Sequence, residues 1–243
     1  MEISERELRQ LAGAVDEQHR DGMSTMAADI AELHAQARRL RTHSRRRVLR
    51  NVGLGLGAVT IGSSVVSFAS LLPAAAQEEE KQLSEEDVAA FAESVELAAV
   101  EAYAAAGASG KLAGPLVDVG SMFAAHHAEH AAAFASAAGA KATGRANVKL
   151  VDTLAGQIAA AQDEKGVLGV AYDMENAAVG TYMFAMGTLE SPAALALVAS
   201  ILPVESQHAV VLGTAMAKPL ADSIPAFETE EKALDPTKFP VNE

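Results

Sequence analysis

Between Ser84 and Lys218 apolar residues recur at the three-to-four-residue spacing of helices, and few signals interrupt the pattern. Ser84 reads as an N-cap, with Glu85, Glu86 and Asp87 in a first turn where the helix dipole favours negative charge. The helix it starts is expected to reach about Ala106 and stop at Gly107. After a loop over 107–115, a second helix is predicted over 117–138, ending at Gly139. The stretch 139–165 is a longer connection. It holds a short helix over 148–162, with Leu150, Leu154, Ile158 and Ala161 on one stripe. A third helix is predicted over 166–189. Ser191 and Pro192 then supply an N-cap and a first helical position. The fourth helix runs to about Lys218, before Pro219. Pro225, Pro236 and Pro240 make 219–243 an irregular tail expected along the surface. Short outer loops and one long middle connection predict an all-α four-helix bundle over 84–218.

Upstream the pattern changes twice. Residues 1–43 read as a helical leader. Ser4 and Glu7 form a capping box. Leu8, Leu11 and Val15 follow at helical spacing, and Ile30, Leu33, Ala37 and Leu40 resume it, while Gly13 and Gly22 weaken it. This stretch is expected to be solvated, with a partner-binding amphipathic helix as the alternative. From Val52 to Leu72 come 21 residues without a charge. Seven of the ten Arg in residues 1–76 lie between Arg38 and Arg50, and Pro73-Ala74-Ala75-Ala76-Gln77 follows the apolar run. Basic region, apolar region and A-x-A site form the layout of an export signal. Ser44-Arg45-Arg46-Arg47-Val48-Leu49-Arg50 resembles the twin-arginine signal, with Val48 and Arg50 as departures. The glycines and serines of 53–70 make the apolar run weakly hydrophobic, as in such signals. Cleavage is expected after Ala76. The alternative is a retained membrane anchor at 52–72, since 21 residues can cross a bilayer. Residues 77–83 form an acidic linker.

Charge follows the same division. Residues 1–76 sum to +2 and residues 77–243 to −15. The acidic domain lacks the basic face that a nucleic-acid partner requires. The chain has 53 Ala, no Trp and no Cys. Ala on this scale suits closely packed helices rather than a β core. Without Cys there is no thiolate ligand, no disulfide and no Cys nucleophile.

The polar residues inside the helices form an internal repeat. Glu96-Leu97-Ala98-Ala99-Val100-Glu101-Ala102-Tyr103 matches Glu175-Asn176-Ala177-Ala178-Val179-Gly180-Thr181-Tyr182. His127-Ala128-Glu129-His130-Ala131 matches Glu205-Ser206-Gln207-His208-Ala209 more loosely. Positions i and i+3 share a helix face, so Glu205 and His208 can serve one site. A di-metal carboxylate bundle takes a Glu from each of two helices and Glu-x-x-His from each of the other two. Here His127 stands where the fourth Glu would be. The candidate metal ligands are therefore Glu96, His127, His130, Glu175, Glu205 and His208. Mixed carboxylate and imidazole donors suit iron, manganese or zinc, in a dinuclear or a single-metal site. The missing carboxylate leaves open a core that holds no metal. A second register pairs His126 with Glu129. Tyr103 and Tyr182 are either hydrogen-bond donors to the ligands, redox-active, or core aromatics. Glu93 and Glu101 are expected at the surface, and Met174, Met183 and Met186 in the core. Pro203 is expected to kink the fourth helix ahead of Glu205.

Glu96 with Tyr103, His127 with His130, Glu175 with Tyr182, and Leu202-Pro203-Val204-Glu205-Ser206-Gln207-His208 resemble the exported bacterial ferritin-like domain proteins, which include desiccation-related proteins. The resemblance spans about 83–240. It implies a ferritin-like four-helix bundle with a long crossover between helices 2 and 3 and a di-metal centre, without fixing an activity. Two functions follow as expectations. One is an exported metal-binding protein that oxidises ferrous iron or removes peroxide. The other is a non-catalytic envelope or stress scaffold. The implied partners are the twin-arginine export machinery and, for an oligomer, further copies of the chain. The implied location is the periplasm or cell envelope, or the outer face of the cytoplasmic membrane if 52–72 anchors the chain.

Overall fold

The structure is a computed structural model that describes residues 3–52, 83–223 and 230–241, with the side chains of the first helix described only as far as Glu32. The apolar run from residue 53, the cleavage point at Ala76 and most of the acidic linker lie outside the described residues.

Seven α-helices are described: α1 (Glu5–Val52), α2 (Glu85–Ala108), α3 (Pro115–Ala138), α4 (Val148–Ala160), α5 (Glu164–Thr188), α6 (Pro192–Ala215) and α7 (Leu220–Ser223). The described residues contain no strand. α2 and α3 form one hairpin and α5 and α6 another, and together they make the four-helix bundle. α4 is the crossover between the hairpins, packed on α2 and α5 through Leu150, Leu154 and Ile158.

The caps explain where these helices start. Ser84 Oγ accepts from Asp87 N (3.2 Å) while Asp87 Oδ2 accepts from Ser84 N (3.1 Å), which satisfies two exposed donors reciprocally. Ser191 caps α6 by accepting from Ala194 N, with Pro192 just inside the helix. Asp163 caps α5, so that helix begins at Glu164, two residues before the expected Gly166. α2 runs through Gly107 to Ala108, because a glycine within a helix costs only about 1 kcal/mol and does not force an end. α6 runs uninterrupted through Pro203. It is apolar enough to cross a membrane by length and composition, but it carries buried Glu205 and His208 into the bundle.

Three expectations are corrected. The leader is solvated on one face only. Leu8, Ala12 and Val15 of α1 are buried in one cluster with Phe123, Leu168 and Leu212, and Met26 and Ile30 pack near Val198 and Ile201. α1 is one helix that continues past residue 43 to Val52, and it lies against α6 and α3. Glu93 is not at the surface either. It is 2% exposed, and its carboxylate accepts from Thr143 N and Gly144 N, both at 2.9 Å. The turn leaving α3 exposes two backbone N–H groups inside the fold, and Glu93 is their partner. Of the methionines, Met174 and Met183 are half-buried, whereas Met186 is exposed because it lies on the solvent side of the end of α5.

The described part of the tail carries the single helical turn α7 and a 3-10 turn at Glu230–Lys232, and it is held against the bundle. Leu234 N donates to Thr181 Oγ1 (2.8 Å), and Asn147 Nδ2 donates to Phe239 O and Pro240 O. A Cβ at Gly180 would stand 2.8 Å from Ala233 N, so a side chain there would push the tail away. That explains why the repeat has glycine opposite Glu101, which is exposed.

Candidate metal centre

The six predicted ligands meet at the bundle axis, and each is at most 1% exposed. Glu96 comes from α2, His127 and His130 from α3, Glu175 from α5, and Glu205 and His208 from α6. The i, i+3 spacing places each α3 and α6 pair on one inward stripe. Apolar residues at the neighbouring turns, such as Phe123, Phe134, Ile201 and Leu212, keep that stripe facing the core.

Two groups of ligand atoms lie within 4.8 Å of one another: Glu96, His127, His130 and Glu205, and His127, Glu175, Glu205 and His208. His127 and Glu205 belong to both. His127 Nδ1 is 2.6 Å from Glu96 Oε2, and its Nε2 is 3.2 Å from Glu175 Oε1. One ring thus spans the carboxylates of the two hairpins. Glu205 Oε1 is 2.8 Å from His130 Nδ1, and its Oε2 is 3.6 Å from His208 Nδ1.

Distance does not make all of these hydrogen bonds. Both oxygens of Glu205, Glu175 Oε2, His130 Nδ1 and His208 Nδ1 have no hydrogen-bond partner. Buried polar atoms are normally satisfied, and leaving one unpaired costs about 1–3 kcal/mol. Five such atoms aimed at one centre are what a cation would engage. The donor set fits iron, manganese or zinc.

The tyrosines hold the two outer carboxylates by exchange. Tyr103 of α2 donates to Glu175 Oε1 on α5, and Tyr182 of α5 donates to Glu96 Oε1 on α2. Both rings are buried. Burial and the adjacent Glu175 charge push the Tyr103 hydroxyl well above its usual range, so it stays a donor.

Charge sets the protonation of the inner ring. Burial opposes a charged His127, yet Glu205, Glu175 and Glu96 outweigh it and hold its pKa well above the usual value. His130 is likewise disfavoured as a cation by burial, but Glu205 and Glu96 push it up to about 9. His208 is raised by Glu175 and Glu205 against the same burial. Burial acts to raise Glu175 and Glu96. His127 and His208 hold the first well below the carboxylate range, and His127 and His130 hold the second below it.

A second ring of polar residues lies behind the first. His126 points away from the carboxylates: its Nδ1 is 3.0 Å from His208 Nε2, and its Nε2 is 3.1 Å from Asp16 Oδ1. Its register partner Glu129 has a half-exposed side chain, so those two residues diverge rather than share a site. His19 of α1 is 3% exposed, stacks on His126 with centroids 3.8 Å apart, and brings its Nε2 to 3.2 Å from His130 Nε2. Asp16 is the one carboxylate at hydrogen-bond distance from these outer rings among the described residues, and it is itself partly exposed. Burial lowers His19 to about 3 and His126 to about 4, the second despite Asp16. Sequence reasoning missed Asp16 and His19. The available signal was that His19 continues the Leu8, Ala12, Val15 stripe.

A family model described as a ferritin-like domain matches residues 84–218. No curated protein and no solved structure matches the chain.

Proposed function

Because the chain belongs to the ferritin-like domain family, we propose that it is a metal-binding protein whose ions sit among α2, α3, α5 and α6. The observation that carries this reading is the set of five unpartnered buried donor atoms at the centre. Glu96, His127, His130 and Glu205 would hold one ion, and Glu175 and His208, with His127 and Glu205 shared, a second. Iron there would supply one-electron chemistry toward oxygen or peroxide, the activity expected of an iron-oxidising or peroxide-removing protein. The chain's own part is to exclude water with apolar neighbours, to hold the outer carboxylates with Tyr103 and Tyr182, and to give up imidazole protons as metal enters.

A second reading rests on the charge balance. Three carboxylates face three imidazoles whose pKa values are raised, so a protonated core neutralises itself without metal. The bundle would then be a non-catalytic envelope or stress scaffold. Metal analysis after anaerobic reconstitution separates the two. We expect one to two ions per chain, and less than about 0.2 iron, manganese or zinc per chain would favour the scaffold.

Export is carried by residues 44–76, as a signal cleaved after Ala76 or as an anchor. Either orientation leaves the basic side in the cytoplasm. α1 can therefore touch the bundle only while both share a compartment. We propose that the docked form is the folded precursor, loaded before the twin-arginine machinery carries it across. A mature N-terminus at Gln77 in the periplasmic fraction is the expected result. Full-length chain confined to the cytoplasm would end the export reading.

A further inference from the structure

The residues behind the centre form two short chains of hydrogen bonds, and both end on α1. In the first, Asp16 accepts from Arg20, and its Oδ1 faces His126 Nε2 at 3.1 Å. A carboxylate only accepts, so His126 carries its proton on Nε2 and presents a lone pair at Nδ1. His208 Nε2, 3.0 Å away, must then be the donor. That leaves the lone pair of a neutral His208 on Nδ1, the atom facing Glu175 and Glu205 at 3.4 and 3.6 Å. Phe123, stacked on His208 with centroids 3.9 Å apart, fixes the plane of the ring.

The second chain runs from His19. Its Nε2 is 3.2 Å from His130 Nε2, and its Nδ1 looks toward Glu129 Oε2 at 3.9 Å. That Nδ1 has no hydrogen-bond partner, so the one hydrogen bond of the His19 ring is to His130, where a neutral His19 accepts at Nε2 from His130 Nε2. The lone pair of His130 then lies on Nδ1, 2.8 Å from Glu205 Oε1. Asp16 and His19 are one turn apart on the inward side of α1, His19 buried with Ala12 and Val15 and Asp16 partly exposed beside them.

We infer that α1 is the fifth helix of the centre, with Asp16 (through His126) and His19 acting as positioning residues that turn Nδ1 of His208 and of His130 toward the metal. Outer partners of this kind fix the tautomer and orientation of a ligating imidazole, and their loss typically weakens metal binding 10–100-fold. The helix is thus more than a cover. Detaching it would remove the partners that set the Nε2 protons of both ligands and leave them free to tautomerise. The inference rests on the metal-binding reading.

The test uses the full chain and zinc, which is diamagnetic. Affinity is read by competition with a chromophoric chelator, and the ligating nitrogens by long-range proton–nitrogen spectra of the histidine rings. The wild type is expected to bind through Nδ1 of His130 and His208, with both Nε2 atoms protonated. Asp16→Ala and His19→Ala should each weaken zinc at least about 10-fold and broaden or reverse the pattern at His208 and His130, respectively. Asp16→Asn, which keeps an oxygen acceptor in place, should stay within about 3-fold of wild type. Arg9→Ala removes another α1–α3 contact, the Arg9–Asp118 pair (2.8 Å), and should change neither readout. Wild-type affinity in both alanine variants, or ligation through Nε2 in the wild type, overturns the inference and leaves the metal reading standing. A wild-type chain that binds no zinc, iron or manganese overturns the metal reading and this inference together.

Discussion

The α2–α3 and α5–α6 hairpins bring the same inventory to the axis from opposite sides, and they differ at one decisive place. Glu96 and Glu175 occupy equivalent positions, and each receives a hydrogen bond from the other hairpin's tyrosine. His130 and His208 are equivalent too, each with Nδ1 inward and Nε2 outward. The difference is His127 against Glu205. On α6 the inner position supplies two carboxylate oxygens without a hydrogen-bond partner, and on α3 it supplies a ring paired to Glu96 and Glu175. A repeat can therefore fix where side chains stand, while one substitution decides the charge they share.

Removing the unpaired side of that comparison should have the largest effect. Glu205→Ala takes away the carboxylate common to both ligand groups, and we expect metal affinity to fall more than about 100-fold by competition titration. Glu101→Ala, on the exposed face of α2, should leave it unchanged. Making the hairpins alike is the next test. His127→Glu places a fourth carboxylate at the centre and removes a buried cation. The metal-free protein should lose about 3 kcal/mol in denaturant unfolding at pH 7, and divalent metal should return most of it.

The pH dependence of the metal-free protein compares the inner ring with the outer one. His130, raised to about 9, holds a proton that the unfolded chain releases near 6.5. Its contribution to stability is complete below about pH 6.5 and is lost as pH rises through about 9. His127 and His208, also raised, act in the same direction. His19 and His126, lowered to about 3 and about 4, act in the opposite direction. The unfolded chain takes up their protons first, so stability falls as pH drops below about 6.5. The depressed Glu96 and Glu175 add to the loss on further acidification. Thermal melts should therefore peak near pH 6.5, and metal should flatten the alkaline side. A melt that rises steadily to pH 9 would contradict the inner-ring charges. The smallest effect tests the symmetry directly. Tyr103→Phe and Tyr182→Phe should each cost about 1–2 kcal/mol and match one another closely, since each removes one bond to a buried carboxylate.

Much of this was legible along the chain. Helical spacing, Ser84 and Ser191 as caps and the Gly139–Lys165 connection predict the bundle and its crossover. The Glu96/Glu175 repeat, with His127-x-x-His130 and Glu205-x-x-His208, marks the residues that meet. Helical periodicity carries this information because a residue's face is set by its position in a helix. Glu93 was not legible, because an acidic residue in a helix says nothing about a turn some fifty residues later whose N–H groups lack partners. Asp16 and His19 were not legible as site residues, because they precede the bundle by more than sixty residues and belong to a segment with the charge pattern of a leader.

The sequence by itself determined the helices, their order and the six polar residues on inward stripes, since each follows from local spacing and capping. Only the tertiary structure decided that His127 lies between two carboxylates while adjacent His126 turns its back on them. The reason is rotation: one step along a helix turns a side chain by about 100°, and what it then meets belongs to another helix. The tertiary structure alone also brought α1 behind the imidazoles, because the stripe of Leu8, Ala12 and Val15 marks a face to bury but local spacing does not say that α3 and α6 cover it.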